Sequence, residues 1–200
     1  MKNIAVFVSG HGTNLAAIID RSIKGALRVN LKLVLSDKSS AFALKRAKKA
    51  GLRAVFVDPK KFVNKESYER HVISLLVKEK IDFVVLAGFM RILGPTFLKK
   101  YKNRILNIHP SLLPAFKGSH AIRDAHVYGV KVTGVTVHFV DEKVDNGPIV
   151  MQEALCVLDN ETVAELEARI HKVEHRIYSE ALQRVCDGRF LIQGRRVVKR

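Results

Sequence analysis

A chain of 200 residues with 48% hydrophobic and 27% charged side chains can build a substantial core, which excludes a disordered or low-complexity protein. Lys plus Arg number 35 against 19 Asp plus Glu, a formal charge of +16, so an anionic partner is expected: nucleic acid, a phosphorylated metabolite or a polyanionic cofactor. No apolar run reaches membrane length and Met1 to Ser9 is too short for a signal core, which excludes a membrane span and gives a cytoplasmic expectation.

The β-branched run Lys2 to Val8 predicts a strand, Ser9-Gly10-His11-Gly12-Thr13-Asn14 a glycine turn, and Leu15, Ile18, Ile19 and Ile23 a helix. Leu31 to Leu35 predicts a second strand, Phe42 to Ala50 a helix stopped by Gly51, and Arg53 to Val57 a strand closed by Asp58-Pro59. Tyr68, Val72, Leu75, Leu76 and Ile81 form a helical stripe, and Phe83 to Ala87 is the continuous apolar run of a strand buried on both faces. Gly94-Pro95 opens a short helix through Tyr101, and Ile105 to His109 is a further strand. Thr133 to Val140 and Ile149 to Val157, joined by the acidic loop Asp141 to Gly147, predict an antiparallel hairpin edge. Cys156 and Cys186 lack a second Cys or a His at metal-like spacing and read as buried, reduced thiols. The capping box Thr162 to Glu165 opens a helix of about 25 residues, roughly 37 Å, whose stripe is Val163, Leu166, Ile170, Val173, Ile177, Ala181 and Val185 and which Gly188 stops. This alternation predicts one α/β domain over 1–200, a doubly wound, mostly parallel sheet with an antiparallel C-terminal edge and a long C-terminal helix.

Several features carry chemistry. Glycines let backbone N–H groups approach an anion at a helix N-terminus, so the turn at Gly10 to Asn14 is read as a phosphate site ahead of a plain βα turn capped by Thr13 or Asn14. A nicotinamide fingerprint is incomplete because Leu15 replaces its third glycine, although Asp37 could mimic the ribose-binding acid, and a Walker A terminus is missing. The scattered bases, such as Lys45-Arg46, Lys60-Lys61 and Arg195-Arg196, lack interleaved aromatics and read as a solvated surface, which disfavours nucleic acid. Asn107 and His109, two apart, share one face of a strand that Pro110 terminates. A carboxylate from Asp141, Glu142 or Asp145 could orient and charge the imidazole. An amide donor beside an imidazolium suits attack on a carbonyl, where both stabilise the oxyanion. Ser111 lacks the Gly-x-Ser-x-Gly elbow, so direct transfer to an external amine is the simpler chemistry.

The segments Ser9 to Leu15, Val84 to Leu93, Leu106 to Gly118, Thr133 to Val150 and Glu174 to Tyr178 resemble, in order, those of the folate-dependent phosphoribosylglycinamide formyltransferase family. The Asn-x-His-Pro-Ser-Leu-Leu-Pro stretch is shared with other formyltetrahydrofolate enzymes, and the glycine turn narrows the resemblance. What it implies is 10-formyltetrahydrofolate as co-substrate, glycinamide ribonucleotide as acceptor, no metal, and a monomer or homodimer. Asn107, His109 and Asp145 match the catalytic residues. Gly12, Thr13 and Asn14 match the phosphate loop, and His171 and Glu174 match substrate contacts. Met90, Arg91, Ile92 and Leu93 match the folate pocket, to which Asn107 also contributes, and Asp141, Glu142, Lys143 and Val144 match the loop over the pterin. His120 and His138 match recurrent family histidines that support the reacting groups. Lys65 stands near the folate tail where relatives often carry Arg, keeping the charge but losing the planar fork, while Ser179 and His11 are departures away from the chemistry. The implied division is phosphate binding in the N-terminal part and folate binding with catalysis in the C-terminal part. The alternatives are a sibling enzyme that formylates methionyl-tRNA or hydrolyses formyltetrahydrofolate, and a non-catalytic nucleotide-binding module. The first kind resembles longer chains with an added RNA-binding or regulatory domain.

Overall fold

In the computed structural model, which describes residues 1–199, the run Lys2–Val8 forms strand β1, with Ile4 to Val8 buried as its apolar pattern requires. The strands make a mostly parallel sheet ending in antiparallel C-terminal strands, with helices on both faces. By internal packing the chain divides into two compact units, Met1–Leu106 and Asn107–Arg200.

In the first unit, β1, β2 (Val29–Ser36), β3 (Ala54–Phe56) and β4 (Phe83–Leu86) lie in the order β3-β2-β1-β4, all parallel. Parallel neighbours need crossovers, supplied by α1 (Thr13–Ile23), α2 (Phe42–Lys49) and α3 (Lys65–Lys78). The chain winds outward from β1 to β3 and then returns to the other side of β1 as β4. The winding reverses between β1 and β4, and the carboxyl ends of strands at such a switch point are where doubly wound sheets bind ligands. The glycine turn follows β1 and the Met90 to Leu93 segment follows β4, ahead of α4 (Pro95–Lys100). Phe7 packs edge-on against Phe89 and Phe97, at centroid distances of 5.3 and 5.8 Å, beneath that segment.

Strand β5 (Ile105–His109) leads into the second unit. There β6 (Val132–Phe139) and β7 (Ile149–Cys156) pair antiparallel, as their alternation predicts. Gly134 has no room for a side chain, since a Cβ would stand 2.1 Å from the Glu153 carbonyl oxygen. Helix α6 (Val163–Cys186) begins with the expected capping box of Thr162 and Glu165, and buries Leu166, Ile170, Ile177, Ala181 and Val185, while Val173 is half-buried.

Helix α5 (Ala121–Tyr128) and strands β8 (Phe190–Gln193) and β9 (Arg196–Lys199) were not expected from the sequence. Helix α5 buries only two alanines, Ala121 and Ala125, and so shows no large apolar stripe before Gly129 ends it in the left-handed region. Strands β8 and β9 form a hairpin around Gly194, and β9 joins β7 through Ile149 and Arg196. The apolar runs flanking Gly194 were the readable signal. The cysteine expectation is corrected: Cys156 is exposed and Cys186 half-buried, because Cys156 lies on an outward position of the alternating strand β7 and Cys186 on the last turn of α6. No helix among the described residues is long and apolar enough to cross a membrane.

Candidate active site

Asp145 joins the strand-end pair. Its Oδ2 lies 3.4 Å from His109 Nδ1 and accepts from the Gly118 amide at 2.9 Å, while its Oδ1 accepts from Asn107 Nδ2 at 3.4 Å. One carboxylate therefore faces both residues that β5 presents on one side. His109, 4% exposed, also donates from Nε2 to the Phe116 carbonyl at 2.8 Å. Both ring nitrogens therefore face acceptors. Phe116 and Asp145 have left-handed backbones, at φ 49° and 47°. Such conformations are costly outside glycine, and both here aim groups at His109.

His138 also reaches Asn107 and Asp145. From β6 its Nδ1 donates to the Phe139 carbonyl at 2.8 Å, and its Nε2 lies 3.2 Å from Asn107 Nδ2 and 3.7 Å from Asp145 Oδ1. A buried histidine in mid-strand gives no periodic signal beyond its polarity. Burial pushes the Asp145 carboxyl up, but the His138 hydrogen bond, the Gly118 amide and the positive potential of His109 and His138 outweigh it, so the carboxyl sits below its ordinary value. His120, by contrast, is the exposed residue preceding α5 and makes no capping bond there. In the loop after β6, Asp141 accepts from the Lys143 amide at 3.0 Å and from Asn146 Nδ2 at 3.1 Å, while Glu142, Lys143 and Val144 are exposed.

On α6, His171 Nδ1 lies 2.9 Å from Glu174 Oε2, with Glu167 3.4 Å from Nε2. The Glu174 hydrogen bond chiefly raises the His171 pKa, burial opposes it, and the charges of Glu174 and Glu167 add to the rise. His175 stacks on His171 at 6.3 Å, and burial lowers its pKa; Glu174 opposes that shift and His171 adds to it. A group raised on folding adds stability that is complete below its unfolded value and lost as pH rises through the folded one. Denaturant midpoints should therefore show the largest deficit of Glu174→Gln below about pH 6.5, shrinking in alkali.

In the first unit, Gly12 rather than Thr13 or Asn14 caps α1, with φ 71°, and no side-chain cap bond is made. A Cβ on Gly12 would lie 2.5 Å from Ala43 Cβ, so this glycine is required by backbone and packing together. Asp37 Oδ1 accepts from Ser9 Oγ at 2.6 Å, and Ser9 Oγ accepts from the Met90 amide at 2.9 Å. The turn and the Met90 to Leu93 segment are thus tied together. At the segment's other end, buried Glu69 accepts from the Gly94 amide at 2.5 Å and the Phe97 amide at 3.3 Å. The Lys65 stem also lies beside Gly94, with Cε 3.1 Å from where a Cβ would stand. Arg91 lies over the Tyr68 ring at 5.3 Å. Burial, then the Asp37 charge, push the Tyr68 hydroxyl up to about 12 despite Arg91, with Glu69 adding to the rise. Met90 and Ile92 are exposed by 65% and 66%, and Leu93 is buried. Among the described residues no group of His, Cys, Asp and Glu has the makings of a metal site.

A family model described as formyl transferase matches residues 2–182. The chain is 40% identical to phosphoribosylglycinamide formyltransferase of Bacillus subtilis over 185 residues, covering 92% of this chain and 95% of that protein. It is 43% identical to the human trifunctional purine biosynthetic protein adenosine-3 over 92% of its own length, but spans only 18% of that relative. The crystal structure of glycinamide ribonucleotide transformylase 1 from Symbiobacterium toebii superposes with a TM-score of 0.97 at 45% identity, covering 100% of this chain and 94% of that one.

Proposed function

The chain belongs to the formyl transferase family, and on that premise we propose that it formylates the amine of glycinamide ribonucleotide, a step of de novo purine biosynthesis, with 10-formyltetrahydrofolate as co-substrate. The observation that carries the reading is the Asp145 carboxylate shared between Asn107 and His109. The folate supplies the activated formyl group. As an amine adds to that formyl carbon, negative charge grows on its oxygen, and Asn107 and His109 would stabilise it by turning an N–H from its present acceptor, Asp145 for Asn107 and the Phe116 carbonyl for His109, to that oxygen. Asp145 orients the His109 ring, and His138 positions the Asn107 carboxamide. Exposed apolar side chains at Met90 and Ile92 suit a ligand with aromatic rings, and the Lys65 charge suits its carboxylate tail. Gly12, Thr13 and Asn14 at the start of α1 suit the phosphate, and His171 with Glu174 suits the rest of the nucleotide. The first unit then serves phosphate recognition and the second catalysis, within one functional formyltransferase domain. A cytoplasmic location belongs to the same proposal.

The test is the absorbance change on tetrahydrofolate formation, measured with glycinamide ribonucleotide, charged initiator tRNA or water as formyl acceptor. Activity dependent on the ribonucleotide supports the proposal, and activity with tRNA or water alone sinks it. His109→Ala should lower turnover by on the order of a hundredfold or more, and near wild-type turnover would remove His109 from the chemistry.

A further inference from the structure

Helix α2 grips the glycine turn. The Ala43 amide donates to the Gly10 carbonyl at 3.1 Å, Arg46 Nε donates to the His11 carbonyl at 3.0 Å, and Ala43 fills the space a Gly12 side chain would need. The only cis peptide among the described residues is Leu113-Pro114, so the peptides of the turn are trans. In a trans peptide the C=O and the following N–H point in opposite directions. With the Gly10 and His11 carbonyls turned to α2, the N–H groups of His11 and Gly12 face away from it, as an anion nest requires. Arg46 is held from a second side by the Phe42 ring, 4.9 Å from its guanidinium carbon, which accounts for a phenylalanine left 45% exposed.

We propose that Arg46 is a positioning residue for recognition of the substrate's phosphate monoester: it fixes the peptide that presents the Gly12 N–H and sets a permanent positive charge behind the turn. Only the identity of the phosphate ester rests on the formyl-transfer reading. One of the surplus bases therefore has a specific task. A lysine would keep the charge but lacks the Nε–H that reaches His11 while the planar group lies on Phe42.

The test uses the full chain and two ligands. Inorganic phosphate, titrated calorimetrically, should bind Arg46→Ala and Arg46→Gln about tenfold more weakly than wild type, with Arg46→Lys in between. Phe42→Leu, which keeps the guanidinium but removes its platform, should show a loss of about twofold to threefold. In turnover, Arg46→Ala should raise KM for glycinamide ribonucleotide by a similar factor, about tenfold, with kcat and KM for the formyl donor nearly unchanged. With the phosphate-free nucleoside as acceptor, the variant and wild type should be equally poor. Wild-type phosphate affinity in Arg46→Ala, or an equal loss with the phosphate-free acceptor, overturns the proposal, as does a wild type that binds no phosphate. Arg46-dependent phosphate binding without ribonucleotide-dependent formyl transfer leaves it standing and overturns the proposed function instead.

Discussion

Asp145→Asn is expected to lower turnover by on the order of a hundredfold or more, with smaller changes in both KM values. Asparagine is nearly isosteric and tolerates the left-handed backbone that Asp145 adopts at φ 47°, so the loop should keep its course. What changes is the charge and the donor count. The wild-type carboxylate meets donors at both oxygens, His109 Nδ1 and the Gly118 amide at one and Asn107 Nδ2 at the other. A carboxamide must turn its NH2 toward one of these donors, which breaks that contact. Steady-state kinetics beside far-UV circular dichroism check this, and a near-normal kcat in a folded variant would remove Asp145 from the mechanism. The pH dependence has a defined sign. A carboxyl lowered on folding adds stability present above its unfolded value, near pH 4, and lost as pH falls through the folded value. Asparagine has no such contribution, so the stability difference between wild type and variant should close in acid.

Gly147→Ala should lose both stability and activity. A Cβ there would stand 1.9 Å from the Phe139 carbonyl oxygen and 2.8 Å from its carbon. Both are backbone atoms that cannot rotate aside, and the adjacent Phe139 amide is bonded to the Pro148 carbonyl at 2.8 Å, so the loop between β6 and β7 must open. Overpacking of this kind costs about 1–3 kcal/mol or somewhat more. Asp145 lies two residues away, and a displacement of about 1 Å at a catalytic group can cost on the order of a hundredfold in rate. Urea midpoints and kcat together should separate the variants: Gly147→Ala falls in both, whereas Asp145→Asn falls mainly in kcat at neutral pH. Unchanged stability in Gly147→Ala would show that the loop yields without cost.

Local patterns made most of the fold readable. The continuous apolar runs of β1 and β4 mark strands buried on both faces, the alternation of β6 and β7 marks a hairpin, and Gly51 and Gly188 mark helix ends. Each signal is short-range sterics and burial acting within a few residues. Elements with little apolar area, α5 with its two buried alanines and the short strands β8 and β9, fell below that signal. So did the outward setting of Cys156 on β7.

The site divides in the same way. Spacing alone put Asn107 and His109 on one side of β5, and the Gly10-His11-Gly12 turn alone pointed to the proposed phosphate site. Which of three loop acids meets the histidine, and the contact of His138 with Asn107, were settled by how β6 and its loop fold back on β5. Likewise Glu69 is an acid on the apolar side of its helix, buried against the Gly94 amide, and Arg46 reads as one of many surface bases, yet it holds His11. Side-chain periodicity records which face of an element is buried, so the sequence by itself determined the strands, the helices and the strand-end pair. A polar side chain's hydrogen-bond partner leaves no periodic trace, because it depends on residues tens of positions away, and only the tertiary structure decided those pairings.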